Sequence, residues 1–562
     1  MKFKDMPYQR PDMDTLLARY AQLAADAEQA DAQGLLDVFA AHCELQVDYY
    51  TAWQLASIRH TCDTEDEFYN GEQDFFDENS PRVNNAVLAL YRAILANPAK
   101  EVLAEKYAPL LLEKMEVKVK SATPEILELM QQENALSTEY EKLYASARIP
   151  FDGKILSVAQ LTPYKQSPDR AVRRAAFEAE GAFFDQNREK LDDIYDQLVK
   201  NRTQQARKMG YENYIPLGYI RMERLGYGQA EVESYRRQIV RDVVPLAAQA
   251  MARKLERIGV KDAKFYDLNL EFASGNPVPH GTPEEILAAG QEMYHQLSPE
   301  TAGFIDLMME NGLFDVLSRP GKAPGGYCSD LPKWRCPFIF SNFNGTSGDV
   351  DVLTHEAGHA FAAYMAFSQD LPGELLYPGM ESCEIHSMSM EFLTSPYHHA
   401  FFKQDTDKYA LAHAEDALFF LPYGCMVDEF QHIVYANPEL TPAQRNEAWL
   451  ELEKKYRPWV DMDNLPFYGR GAGWQRQLHI FGSPFYYIDY CLAQTVALQF
   501  FAAWLKDPAD AWQRYLALVK KAGTLPYAGL VQSAGMKVPF EEGSLAQVAR
   551  EVADWIANHQ VN

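Results

Sequence analysis

The run His355-Glu356-Ala357-Gly358-His359 sets two imidazoles four residues apart with a carboxylate beside the first. On an α-helix, residues i and i+4 lie on one face, so His355 and His359 can direct two ring nitrogens at one divalent cation. Glu356 points off that face. There it can reach a water that the cation activates without being a ligand, which is where the general base of a metal-assisted hydrolysis belongs. A catalytic zinc takes three protein ligands and keeps its fourth position open. The segment Met380–Glu391 offers Glu381, Glu384, His386 and Glu391 as third ligands, and Glu384, Ser387 and Glu391 share a helical face at i, i+3 and i+7. Spacing alone leaves that choice open.

The elements that must position these residues are legible around them. Gly345–Leu353 supplies turn residues, then a helix start with acids in the first turn, so the motif is expected on a helix. Arg335–Phe343 reads as a strand just ahead of it. An extended peptide could pair with an exposed edge there through backbone hydrogen bonds while Phe338 and Phe340 face the core. Leu465–Gly473 reads as a loop with alternating glycines and no phosphate-loop signature.

Elsewhere the periodicity is helical. Helices are expected from Asp12 to about Pro150, with Asn79-Ser80-Pro81 as a break and helix start and Ala96-Asn97-Pro98 as a separator. Lys154–Leu161 is the first strand signal, and Ser167 is placed as a helix cap with Pro168 behind it. Helix then runs from Asp169 to Gly210, Gln229 to Ile258 and Thr282 to Asn311, with Tyr211–Leu217 as a loop. After the turn-rich stretch Arg319–Tyr327 and the site region, helices continue to Ala436 and over Ile488–Trp504, Pro508–Ala522 and Ser544–Asn558. Arg170, Arg173 and Arg174 are read as facing nearby acids rather than an anion, and Glu125, Glu133 and Glu139 as solvated.

The 562 residues carry a net charge of −26, which argues against nucleic acid or an anionic membrane as partner. Mean hydropathy is −0.34. No apolar run approaches the ~18 residues of a bilayer span, and no apolar stretch follows Met1–Pro7. A soluble cytoplasmic protein is therefore expected. Seven scattered cysteines without a C-x-x-C pair suit a reducing compartment. His398, His399, His413 and His432 have no spacing that builds a second site and are read as structural.

His355-Glu356-x-x-His359 followed by Glu384-x-x-Ser387-x-x-x-Glu391 resembles the thimet oligopeptidase and oligoendopeptidase F family of zinc peptidases. The likeness continues through Pro337–Thr346 and His479–Tyr490. The resemblance implies a mainly α fold, two-lobed around a deep substrate channel with small β elements. It also implies one Zn²⁺ per chain on His355, His359 and Glu384, with Glu356 as base. Cys383 ranks below Glu384 as a ligand because it falls off the face shared with Ser387 and Glu391. By the same resemblance His479, Tyr487 and Tyr490 stabilise the transition state, with Tyr486 as a further candidate. Asp351 and Glu391 are possible partners of the metal-binding imidazoles.

The expected organisation is an N-terminal helical region (1–150), a helical lobe lining the channel (151–320) and a catalytic region (321–562). The expected activity is endopeptidase cleavage of oligopeptides. A zinc carboxypeptidase of the H-E-x-x-H type and a non-enzymatic helical binding protein are the alternatives, and oligomeric state is not fixed by the sequence.

Overall fold

Met13, Leu16, Tyr20, Leu23 and Ala27, spaced at three and four, make one buried stripe along the helix Met13–Gln29. Asp12 caps it, accepting from the Thr15 amide at 3.0 Å. The same logic repeats along the chain in a computed structural model that describes residues 1–562 apart from 318, 320, 321, 324, 560 and 562 and the side chains of 138, 141, 142 and 145. The protein is mainly α-helical. Its described strands are five short ones: β1 (Ile149–Phe151), β2 (Lys154–Leu156), β3 (Phe314–Leu317), β4 (Tyr327–Leu331) and β5 (Cys336–Phe343).

Two cores form. The smaller is built from residues between Met13 and Ile126, with one distant member, Leu375. The larger holds the remaining helices and the strands. The helix Tyr487–Lys506 is long and apolar enough to cross a membrane, contrary to the sequence reading, but 72 % of its most apolar stretch is buried in the protein. It packs against the helices Met380–Leu393 and Thr406–Ala436 and forms the centre of the larger core.

β1 and β2 form a hairpin turned by Asp152 and Gly153, both at positive φ. The strand expected to reach Leu161 stops at Leu156, and a short 3₁₀ turn follows. β5 lies between β3, parallel to it, and β4, antiparallel to it. The expectation of an exposed edge at Phe338–Asn342 is thus corrected. β5 is central, and among the described residues the strand edge left unpaired next to the motif helix is that of β4.

Other expectations shift for local reasons. The helix Glu67–Ala96 runs through Pro81 instead of starting there, capped by Asp66 and anchored by Phe76 and Val83 on either side of the proline. Asp169, not Ser167, caps the helix Arg170–Gln186. Asn213 starts a helix at Tyr214–Arg221 where a loop was expected. Ser298 and Pro299 divide the expected helix Thr282–Asn311 into two. One helical turn, Pro466–Gly469, interrupts the glycine-rich loop.

Arg170 and Arg173 pair with Asp267, and Arg174 with Glu178, as read. Glu133 is not solvated, since it pairs with Arg202 and Arg221. Within the turn-rich stretch Arg319–Tyr327, Pro320, Gly321 and Pro324 lie outside the described residues.

Candidate metal centre and active site

The motif helix, Gly348–Phe367, is held against the helix Met380–Leu393 by Gly358. A Cβ at Gly358 would lie 2.5 Å from the His386 carbonyl and 2.6 Å from Ser387 Cα, so only glycine admits this approach. Tyr515 fixes the second helix from behind by donating to that same carbonyl at 2.9 Å. The result brings Glu384 under the two histidines.

Glu384 Oε2 lies 3.3 Å from His355 Nε2 and 3.4 Å from His359 Nε2. One ligand atom from each of the three residues falls within 4.8 Å of the others. Two atoms each ~2.1 Å from a tetrahedral zinc lie about 3.4 Å apart, so this donor set fits a zinc ion. The second oxygen, Oε1, accepts from the Tyr486 hydroxyl at 2.6 Å, and Ser387 Oγ donates to Oε2 at 2.9 Å. Burial would raise Glu384, but His359 and His355 pull it well below the usual carboxylate range, keeping it anionic.

His355 is oriented from its far side. Its Nδ1 meets Glu391 Oε1 at 2.7 Å, and Glu391 Oε2 meets His413 Nε2 at 2.7 Å. Nε2 of His355 is thereby left for a metal. Asp351, the other expected partner, instead accepts from Tyr409.

The rival ligands do not join the triad. Glu381 is buried and pushed up to about 8, by desolvation first and then by Asp489. His386 is buried and lowered to about 3, again by desolvation first and then by His359. Burial, reinforced by Glu384, raises the Cys383 thiol to about 12, so it remains protonated.

Glu356 is 8 % exposed and contributes no atom to the triad. Desolvation raises its carboxyl above the ordinary value against the pull of His355 and His359. A Cβ at Gly326, the residue leading into β4, would stand 3.9 Å from Glu356 Oε1. The free edge of β4 therefore begins beside this carboxylate.

On the other side stand the residues of the His479–Tyr490 segment. Phe485, at φ +68, turns the chain into the helix Tyr487–Lys506. Its amide donates to Gln431 Oε1 at 2.9 Å, and its carbonyl accepts from Arg224, which also holds Asp489 at 2.8 Å. This kink sets the tyrosine register. Tyr486 and Tyr490 face each other with rings 4.8 Å apart, whereas Tyr487 sets its ring 5.2 Å from that of His479 and packs it between Phe420 and Tyr423.

A hydrogen-bond chain fixes His479. The Tyr423 hydroxyl donates to Gln477 Oε1 at 3.0 Å, which turns Gln477 Nε2 toward His479 Nδ1 at 3.1 Å. Nδ1 accepts, so Nε2 carries the proton and faces the Tyr490 oxygen at 3.3 Å. Burial lowers His479, favouring this neutral form. The Tyr490 hydroxyl hydrogen is then left for an acceptor other than His479, and the Tyr486 oxygen stands beside it. Sequence spacing could not single out His413, Gln477 or Tyr423, because none falls in a motif: His413 and Tyr423 lie on the helix Thr406–Ala436 and Gln477 just ahead of His479–Tyr490.

Known proteins resemble this chain along its length. Residues 163–550 match the description Peptidase family M3, and residues 3–122 match Peptidase M3 N-terminal domain. Comparison with curated protein sequences gives no match. Among solved structures, PZ peptidase A with an inhibitor is 45 % identical, with 100 % of both chains covered and a TM-score of 0.96. A protein described as oligoendopeptidase F is 46 % identical over 99 % of both chains, with a TM-score of 0.96. Another so described, from Bacillus anthracis, is 42 % identical over 99 % of this chain and 98 % of that one, with a TM-score of 0.91.

Proposed function

The chain belongs to peptidase family M3, and from that membership we propose that it is a zinc-dependent oligoendopeptidase. In this reading one Zn²⁺ is held by His355, His359 and Glu384, and Glu356 is the general base. The observation that carries the reading is the convergence of the three ligand atoms, with Glu356 beside them and the free edge of β4 beginning at Glu356. When bound, the ion supplies Lewis acidity that acidifies a water and polarises the scissile carbonyl.

The residues of the chain do the rest. The edge of β4 pairs with an extended peptide through backbone hydrogen bonds and so accepts many sequences. Glu356, its carboxyl raised by burial, takes a proton from the attacking water and passes it to the leaving amine. Tyr490 donates to the oxygen on which negative charge develops, held in place by His479, and Tyr486 steadies Glu384 from the second carboxylate oxygen. Tyr487 is assigned to the wall.

The proposed substrates are oligopeptides, and the proposed location is the cytoplasm. We assign 321–562 to the catalytic region, 151–320 to a lobe lining the channel and 1–150 to an N-terminal helical region. Mass spectrometry of a mixed peptide pool, incubated with the zinc-loaded enzyme with and without chelator, tests the reading. Internal cleavage abolished by the chelator is expected. Release of single C-terminal residues, or cleavage indifferent to chelator, would overturn it.

A further inference from the structure

A cavity of about 260 Å³ has Lys165, Phe177, Tyr423, Arg457 and Arg476 in its lining. Its charge runs against that of the chain. Lys165, Arg457 and Arg476 are cations in a protein of net charge −26. Two of them are already engaged. Lys165 Nζ donates to the buried Glu180 at 2.5 Å, and Arg457 forks onto Glu453, with Nε at 2.9 Å. Arg476 is different. Among the described residues its guanidinium makes no hydrogen bond; its Nε lies 3.3 Å from Glu180 Oε1 but without hydrogen-bond geometry. Glu180 is already held by Lys165 and by the Tyr468 hydroxyl. Glu180 and Glu453 offset two of the three cations, which leaves one positive charge and a planar set of donors facing the cavity.

A guanidinium in such surroundings is suited to a carboxylate, which it can grip with two parallel N–H groups. The aromatic wall of Phe177 and Tyr423 suits the apolar part of the same ligand. The cavity is also tied to the proposed active site. Tyr423, which lines it, is the hydroxyl that orients Gln477 and through it His479. Arg476 precedes His479 by three residues, so their Cα atoms are at most about 11 Å apart, the reach of about three residues of extended peptide.

Resting on the peptidase reading above, we propose that this cavity is a subsite for a carboxylate of the peptide substrate, anchored by Arg476, two or three residues from the bond that is cut. The carboxylate can be the C-terminus of the peptide or an acidic side chain.

A matched peptide series separates these sources. One peptide with a single cleavable bond is made as the free acid and as the C-terminal amide, ending two or three residues beyond the cut. A longer amidated version carries Glu or Gln at each position two or three residues to either side of the cut. Each is assayed with the zinc-loaded wild type, Arg476→Gln and Arg476→Lys. A charge-assisted hydrogen bond corresponds to about 10- to 100-fold. The wild type is expected to favour the acid over the amide, or Glu over Gln, by that factor in kcat/KM, mainly through KM. Arg476→Gln should abolish the preference and Arg476→Lys should restore part of it. General damage to the fold would slow both members of a pair equally and leave their ratio unchanged. Equal kcat/KM for both pairs in the wild type would overturn the proposal whatever the variants do, and so would a preference that survives in Arg476→Gln. Cleavage of the series without preference leaves the peptidase reading standing, whereas cleavage of no member would overturn both.

Discussion

Two carboxylates at the heart of the site are tuned in opposite directions. Glu384 is drawn down by the two imidazoles it faces, and Glu356, one residue from an imidazole it does not face, is raised by burial. Their removal should therefore fail differently. Glu356→Gln is expected to retain metal through dialysis and lose about 10²- to 10⁴-fold in kcat. Glu384→Ala is expected to lose the metal itself, as read by metal content after dialysis. The tyrosines allow a second discrimination. Tyr490→Phe should lower kcat by about 10²-fold with KM little changed, while Tyr487→Phe, which keeps the ring packed against Phe420 and Tyr423 and removes only its hydroxyl, should leave kcat within a few-fold. The histidine motif is readable in the sequence because helical periodicity alone puts His355 and His359 together. The tyrosine register is not, since it depends on a positive-φ turn at Phe485 stabilised by Arg224 and Gln431 from far along the chain.

Helices carry the three residues proposed to hold the metal, so the distance between two helices sets the geometry of the site. Gly358 is the point of nearest approach, and its residue type answers to the backbone of the neighbouring helix rather than to the metal. Gly358→Ala is expected to push the two helices apart, lowering Tm and weakening metal retention together even though all three ligands remain. Gly71, inside the helix Glu67–Ala96 with nothing within 4 Å of its Cβ direction, is the control. Gly71→Ala should stabilise by about 0.5–1 kcal/mol, the usual gain from helix propensity. Thermal melts of both variants, with and without metal, check the pair. Most helices were legible from apolar spacing and caps, yet the neighbours of an element were not. Cys336–Phe343 reads as a strand from its residues, but its central place between β3 and β4 depends on segments whose pairing no local pattern records. Pro81 misleads for the related reason that packing on either side of it outweighs the lost backbone donor.

Across the whole molecule, the short connection between the helices Gly348–Phe367 and Met380–Leu393 is held by the N-terminal region. Glu374 meets His42 Nε2 at 2.8 Å and accepts from Tyr91, while Lys114 donates to the carbonyls of Glu374 and Tyr377 at 2.8 and 2.6 Å. Burial would raise Glu374, but His42 and Tyr91 bring it from its ordinary 4.5 down to about 2. A depressed carboxyl stabilises the fold fully above its unfolded value and loses that contribution as pH falls toward its folded value. Glu374→Gln, which removes the buried anion that faces His42 and accepts from Tyr91, should destabilise by about 1–3 kcal/mol at neutral pH. The Tm gap to wild type should narrow between pH 4.5 and 2, measured on metal-free protein, and a gap independent of pH would refute the assignment. Leu375, next in the chain, has a consequence for synthesis. It completes a core whose other buried members all lie between Met13 and Ile126. At ~5–20 residues per second, the roughly 250 residues separating Ile126 from Leu375 take about 12–50 s to emerge. Throughout that interval the nascent N-terminal helices hold an apolar vacancy that a chaperone can occupy, and a chain stalled before Leu375 keeps it open.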